Sequence, residues 1–513
     1  MSFINHFISA LGKDEKKHLN EFIGTTLFKN HQTKEFQLYN LLQATDPHGL
    51  NDEFLAYKIY GDTDAVSLKN LRSLRSHLFN KILDCINHES FINNDEIDDL
   101  EKTSIQLRKK LISARILLRK GDADFKDVTE HLLNEIIEEA KKIQSYPVLI
   151  EALTIKKYRL NIRNGIEKFE SVQKEINHYF NCYIATNKAN DYYHKLIINK
   201  SFISTNTDEE YSQQLQLAIS DLEKEYASTG AIDILYFLYY LKLEYAHHTG
   251  TYEDAIDVCL EMLNSMRNFP SLYRKERIGY IYDNLAQCYI YLEEYDNALQ
   301  TIQEAQKHYK PHSFAALISR EVEFYANFYN KTYERARELC QLMLQHPKSD
   351  TGEFRHDRII YYAACVDFAL GKYNEALKKC TQSLEIRKDK AGWEIALRTL
   401  TIMCQIELGH IDAAIAGIEA LRKHLSRNTG KYPIKQRDEL IYKALCEFEK
   451  TGFECFELTP KNEKILIELS ANNTSASWQK YSPELIPFHQ WLEKRICATA
   501  VIKHKLQVKK NIR

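Results

Sequence analysis

The chain has 513 residues, with 69 Lys+Arg against 71 Asp+Glu and a formal net charge of −2, so no global field draws it to nucleic acid or an anionic membrane. It holds only 16 Gly and 9 Pro, well under half of ordinary usage, which excludes folds rich in turns, strands or glycine loops and favours long helices with short connections. That length exceeds one ordinary core, so several domains or a linear repeat array is expected.

Residues 1–100 read as a small helical domain, with short helices near residues 3–11, 14–24, 33–44 and 51–60 and a longer one from Val66 to Asn87. In "VSLKNLRSLRSHLFNKIL", Leu71, Leu74, Leu78 and Ile82 share one face and Lys69, Arg72 and Ser76 another, the pattern of a helix packed beneath a basic side. As a degenerate winged-helix or helix-turn-helix unit it would send Lys69, Arg72 and Arg75 into a major groove. The ten Lys+Arg and nine Asp+Glu of residues 1–83 are no basic stripe. A helical docking domain is the preferred reading, and DNA binding the alternative. The head, "DEKKHLNEFIGTTLFKNHQTKEFQLYNLL" with the segment after it, resembles that of an uncharacterised group of bacterial proteins in which it precedes a helical-repeat body. The resemblance implies no activity.

The start "MSFINHFISALGKDEKK" lacks a basic region before its apolar residues and a small-residue cleavage site, so no secretory signal is expected. The most apolar segment, "AIDILYFLYYLKLEYA", is cut by Asp233, Lys242 and Glu244 and is too short to span a bilayer. The eleven cysteines include no C-x-x-C pair. Reduced, buried thiols in a cytoplasmic protein are expected, with no membrane partner.

Residues 101–451 carry a repeat. Upstream, "RKKLISARILLRKGDADFKDVTEHLL" and "VLIEALTIKKYRLNIRNGIEKFESV" read as degenerate helical hairpins bending at Gly121 and Gly165, with Phe125 and Phe169 after the bends. "DYYHKLIINKSFIS" and "EYSQQLQLAISDLEKEYAS" then suggest one more helix pair. The bends become explicit as "GTYEDA", "EEYDNA", "KTYERA", "GKYNEA" and "GHIDAA", with final alanines Ala255, Ala298, Ala336, Ala376 and Ala414 spaced by 43, 38, 40 and 38 residues. A Gly past a helix end adopts the left-handed conformation, the aromatic packs into the hairpin, and the Ala is small where two helices cross. Glu293 and Lys331 stand where Gly is missing, which predicts a different cap there.

Tyr282, Leu285, Ala286 and Tyr289, then Tyr295, Ala298, Ile302, Ala305 and Pro311, resemble the tetratricopeptide repeat, with Ala286 in place of its usual Gly. The resemblance implies an all-α fold, a right-handed α-solenoid of tetratricopeptide-like hairpins behind the helical head, and a function in binding protein or peptide segments. After Gly452, Trp478, Pro483, Pro487 and Trp491 break the period, so residues 452–513 read as capping helices with a final helix "PFHQWLEKRICATAVIKHKL" and a basic tail.

No phosphate loop, dinucleotide turn, zinc-protease helix or nucleophile elbow occurs in the sequence. His247 and His248 are adjacent and point about 100° apart on a helix, so they make a poor metal pair. No catalytic residue, metal or cofactor is expected. In tetratricopeptide arrays the first helix of each hairpin lines the binding side. Transferred residue by residue, that rule places Tyr240, Glu244, His247, Tyr280, Asp283, Gln287, Glu321, Tyr325, Arg358 and Tyr361 on a peptide-binding wall, with Asp283 and Gln287 foremost. The reading is a non-enzymatic scaffold for a protein or peptide; the alternative is a peptide-sensing transcriptional regulator whose head binds DNA.

Overall fold

The computed structural model describes residues 16–17, 33–44, 51–86, 98–120, 124–160, 165–198, 208–346, 353–383, 385–390, 392–432, 434–471, 474 and 476–497. Among them every regular element is helical, and the β-type pairings are two isolated bridges, Thr429 with Tyr432 and Phe456 with Ile496. Contacts divide the chain into two compact units, Met1–Tyr183 and Ile184–Arg513.

In the first unit, α1 (Lys34–Ala44), α2 (Asp52–Tyr60) and α3 (Ala65–Ile86) enclose a core that includes Leu38, Tyr39, Leu55, Leu71, Leu78 and Ile82. Asn51 caps α2 by accepting from the Phe54 amide, and Gly61 ends it at φ 80°. The α3 stripe is buried as its periodicity predicts. Lys69 and Arg72 are exposed, whereas Arg75 donates Nη1 to Asp52 of α2 at 2.7 Å. The helices expected near 3–11 and 14–24 lie outside the described residues except for Lys16 and Lys17, as does the Gly121 bend. Next come α4 (Asp99–Lys120), α5 (Asp124–Lys142) and α6 (Tyr146–Tyr158), each packed on the next. α7 (Gly165–Tyr193) runs for 29 residues and ends in a π turn, His194–Ile198. The separate helix read at "DYYHKLIINKSFIS" is therefore corrected over residues 191–198, where no Gly or Pro breaks the run from α7; the rest of that stretch, 199–204, lies outside the described residues.

The second unit stacks antiparallel helices: α8 (Asp208–Thr229), then the hairpin of α9 (Asp233–Thr249) with α10 (Tyr252–Asn268), followed by α11 (Lys275–Tyr291), α12 (Tyr295–Gln306), α13 (Phe314–Tyr329), α14 (Tyr333–Leu344), α15 (Glu353–Ala369), α16 (Tyr373–Gln382), α17 (Trp393–Glu407), α18 (Ile411–Asn428), α19 (Gln436–Glu449) and α20 (Pro460–Ser470). Each helix packs on its neighbour in sequence, and first helices also touch directly, α11 on α13 and α15 on α17. Ala255, Ala298, Ala336, Ala376 and Ala414 are each 0% exposed, as expected of small residues that let the two helices of a hairpin approach closely.

The caps at Glu293 and Lys331 do not differ from the rest. Gly250, Glu293, Lys331, Gly371 and Gly409 have φ of 75°, 64°, 63°, 73° and 70°. At every bend the next amide bonds five residues back: Thr251 to Ala246, Glu294 to Tyr289, Thr332 to Asn327, Lys372 to Asp367 and His410 to Gln405. The bond and the aromatic that follows outweigh the left-handed penalty of about 1–2 kcal/mol at a residue with a Cβ.

The long final helix is also corrected. Among its described residues, 487–497, only α21 (Phe488–Glu493) is helical. Beyond it Cys497 donates its amide to Phe456 O at 3.2 Å while the Phe456 amide reaches Arg495 O at 2.7 Å. This bridge sets Cys455 beside Cys497, and the two form a disulfide with Cα atoms 5.0 Å apart, against the expectation that all eleven thiols are reduced. Their 42-residue separation hides the pairing from any short motif. Residues 498–513, with the basic tail, lie outside the described residues. Among the described residues no helix is long and apolar enough to cross a membrane.

Candidate peptide-binding face

The first helices of the second unit present tyrosines to one side, and the chain itself lies across part of that side. After α20, residues 476–487 carry no helix. Lys480, 9% exposed, donates Nζ to the carbonyls of Ile290 and Tyr291 at 2.9 and 3.2 Å and pairs with Glu293 at 3.1 Å. These are end-of-helix carbonyls of α11, which have no partner within the helix. The Tyr481 ring sits 4.3 Å from that of Tyr325 and 5.4 Å from that of Tyr291. Trp478 stands edge-on to Tyr329, and Glu484 receives the Arg437 guanidinium at 2.5 and 2.8 Å.

Three tyrosine hydroxyls hold the backbone of this stretch, one from each of α11, α13 and α15. Tyr291 donates to Lys480 O at 3.2 Å, Tyr329 accepts from the Tyr481 amide at 3.4 Å, and Tyr361 donates to Pro483 O at 2.8 Å. A hydroxyl that meets a main-chain group grips a chain whatever its side chains; the chain gripped here is turned, with the Ser482 amide bonding Gln479 O at 3.2 Å.

This arrangement places the candidates read from sequence in two groups. Asp283 is 3% exposed and accepts from the Tyr309 and Ser319 hydroxyls at 2.8 Å each. Burial raises its carboxyl to about 6 despite those bonds. Tyr309 in turn presses on Gly279, where an added Cβ would meet its ring at 2.5 Å. Tyr325 joins its hydroxyl to that of Tyr362 at 2.8 Å, Tyr362 donates to Glu321 at 2.6 Å, and Arg358 pairs with Glu321 at 2.8 Å. Tyr361 is 2% exposed beneath Pro483. Asp283, Tyr325 and Tyr361 thus lie inside, and Glu321 and Arg358 pair with each other.

Tyr240, Glu244, His247, Tyr280 and Gln287, on α9 and α11, remain half-exposed. Tyr240 meets Tyr236 and Tyr193 edge-on, at 4.9 and 5.6 Å between centroids. Arg277, which sequence reasoning missed, lies 3.9 Å over the Tyr236 ring. Nearby, burial raises the Asp233 carboxyl to about 6 while Arg277 and Arg274 oppose the shift. Glu244 accepts from the Tyr211 hydroxyl at 3.1 Å, and His247 lies against the rings of Tyr252 and Tyr291. An aromatic shelf with a cation fixed on it offers apolar area, hydroxyls and charge to a segment laid along it.

No family model matches the chain, and no curated protein matches it. Among solved structures it is similar to a Signal Transduction ATPase with Numerous Domains (STAND) protein with a tetratricopeptide repeat sensor from Pyrococcus horikoshii, at 14% identity and a TM-score of 0.38, over 79% of this chain and 62% of that one. It thus spans less than two thirds of that protein. A Rap protein complexed with competence and sporulation factor aligns at 14% identity and TM-score 0.41, over 71% of this chain and 86% of that one. The TPR2AB-domain:pHSP90 complex of yeast Sti1 aligns at 14% identity and TM-score 0.21, over 52% and 98%. Superpositions at this level say nothing about function; the repeat architecture rests on the hairpins, bends and alanines themselves.

Proposed function

We propose that this protein is a non-enzymatic, cytoplasmic scaffold that binds a segment of a protein or peptide along the first helices of its repeats. The observation that carries the reading is the set of hydroxyls of Tyr291, Tyr329 and Tyr361, which already hold the main chain of Lys480–Pro483. The half-exposed shelf of Tyr240, Glu244, His247, Tyr280 and Gln287, widened by Tyr193, Tyr236 and Arg277, is the entry for a partner. Asp283, buried, holds the Tyr309 hydroxyl, and the Tyr309 ring meets that of Tyr280 edge-on at 5.6 Å. Photo-crosslinking from position 280 in cells tests the proposal, with a Tyr236→Ala, Tyr240→Ala, Arg277→Glu variant as control. Loss of a discrete crosslinked partner in the variant is the expected result; a partner retained in full removes the shelf from the site. For the alternative role in DNA binding, the head offers Lys69 and Arg72 as exposed cations, with Arg75 engaged by Asp52.

A further inference from the structure

The stretch across α11, α13 and α15 has the marks of an occupant. Its backbone bonds to those helices through tyrosine hydroxyls, and its side chains meet points that another chain could reach equally well: two helix-end carbonyls for a cation, a tyrosine-walled slot for an aromatic ring, and a guanidinium for a carboxylate. Nor does the occupant fit perfectly. Tyr481 sits at φ 62°, in the left-handed region that a residue with a Cβ resists. Its hydroxyl is buried with no hydrogen-bond partner, a cost that a phenylalanine would avoid.

We propose that Lys480–Glu484 is the resident of a peptide site shaped for a cation, an aromatic, a proline and a carboxylate in that order, and that a partner segment of this Lys-aromatic-x-Pro-Glu chemistry binds by taking its place. The proposal rests on the scaffold reading above and names both the segment recognised and the means of control. Because the resident is tethered, it competes at an effective concentration on the order of millimolar, so a free segment binds the intact chain weakly until the resident is loosened.

The test uses the full chain and a fluorescent synthetic peptide, "SWQKYSPELI", copied from residues 477–486. Anisotropy titration compares the natural chain with a Lys480→Glu, Tyr481→Ser variant whose resident is weakened and whose groove is untouched. The variant is expected to bind the peptide about tenfold tighter or better than the natural chain, the effect of removing a tethered competitor. A peptide with Phe in place of its Tyr should bind at least as well, and one with Ala there about tenfold more weakly or worse. Equal affinity for both chains, or no binding to a folded variant, overturns the proposal. Should the variant not fold, hydrogen exchange on the natural chain decides. Millimolar peptide is expected to speed exchange in residues 478–484 and to leave α13 and α15 protected; unchanged exchange in 478–484 overturns the exchange of segments. A crosslinked partner lost in the Tyr236, Tyr240, Arg277 variant but indifferent to the peptide would leave the scaffold reading standing and sink only this inference.

Discussion

Replacing Arg437 by alanine should release the C-terminal segment from the repeats. Arg437 is 5% exposed and donates to Glu484 twice, to the carbonyls of Leu469 and Ala476 at 2.8 Å each, and to His489 Nδ1 at 3.1 Å. The substitution leaves the Glu484 carboxylate, 15% exposed, facing no cation, and breaking one side of a buried pair costs about 3–5 kcal/mol. The two orphaned carbonyls add to that only so far as water fails to reach them. Trp478 and Trp491 lie in the same segment, so denaturant unfolding followed by tryptophan fluorescence reads the loss. Far-ultraviolet circular dichroism separates loss of the segment from loss of the helices. A second readout is His489, whose imidazole is held down to about 4, first by burial and then by Arg437; without the guanidinium its titration should move up. Because much of the cost is desolvation, Arg437→Met with Glu484→Met should recover at least about 1 kcal/mol relative to Arg437→Ala. A loss under about 1 kcal/mol with His489 unmoved would refute the assignment of Arg437 as the anchor of this segment.

Asp283 is raised from its ordinary 3.8 to about 6 by burial, so the stability it contributes is full below 3.8 and is lost as pH rises through about 6. Unfolding of natural and Asp283→Asn chains across this range should shift in favour of the variant by on the order of 1–3 kcal/mol between pH 4 and pH 7.5; a pH-independent difference counts against the buried charge. Lys331, exposed and at φ 63°, should gain about 0.5–1 kcal/mol on replacement by Gly, measured as a raised denaturation midpoint; a loss would mean that its side chain stabilises the bend. Ala298→Leu overfills a crossing that is 0% exposed and should cost about 1–3 kcal/mol. Its loss of hydrogen-exchange protection should be greatest in α11–α13 and least in α1–α3, and a uniform loss along the chain would contradict an array of neighbour-coupled repeats.

Local pattern made the helices, the five bends and their alanines legible, because helical periodicity, a turn and a small residue at a crossing are set within one repeat of about 40 residues. The stripe of Leu71, Leu74, Leu78 and Ile82 was legible for the same reason. Tertiary structure decided the rest. Tyr240 and Tyr280 stay half-exposed and Tyr361 does not, because a segment 122 residues further along covers Tyr361. Lys480 meets α11 across 190 residues, and Cys455 meets Cys497 through a bridge that no short motif encodes. At Glu293 and Lys331 local preference pointed away from the observed cap, and the packed hairpin imposed it. A repeat specifies which side chains reach the face of its first helix, but which of them meet solvent depends on what the remainder of the chain lays over that face, and a contact between distant segments leaves no period in the sequence.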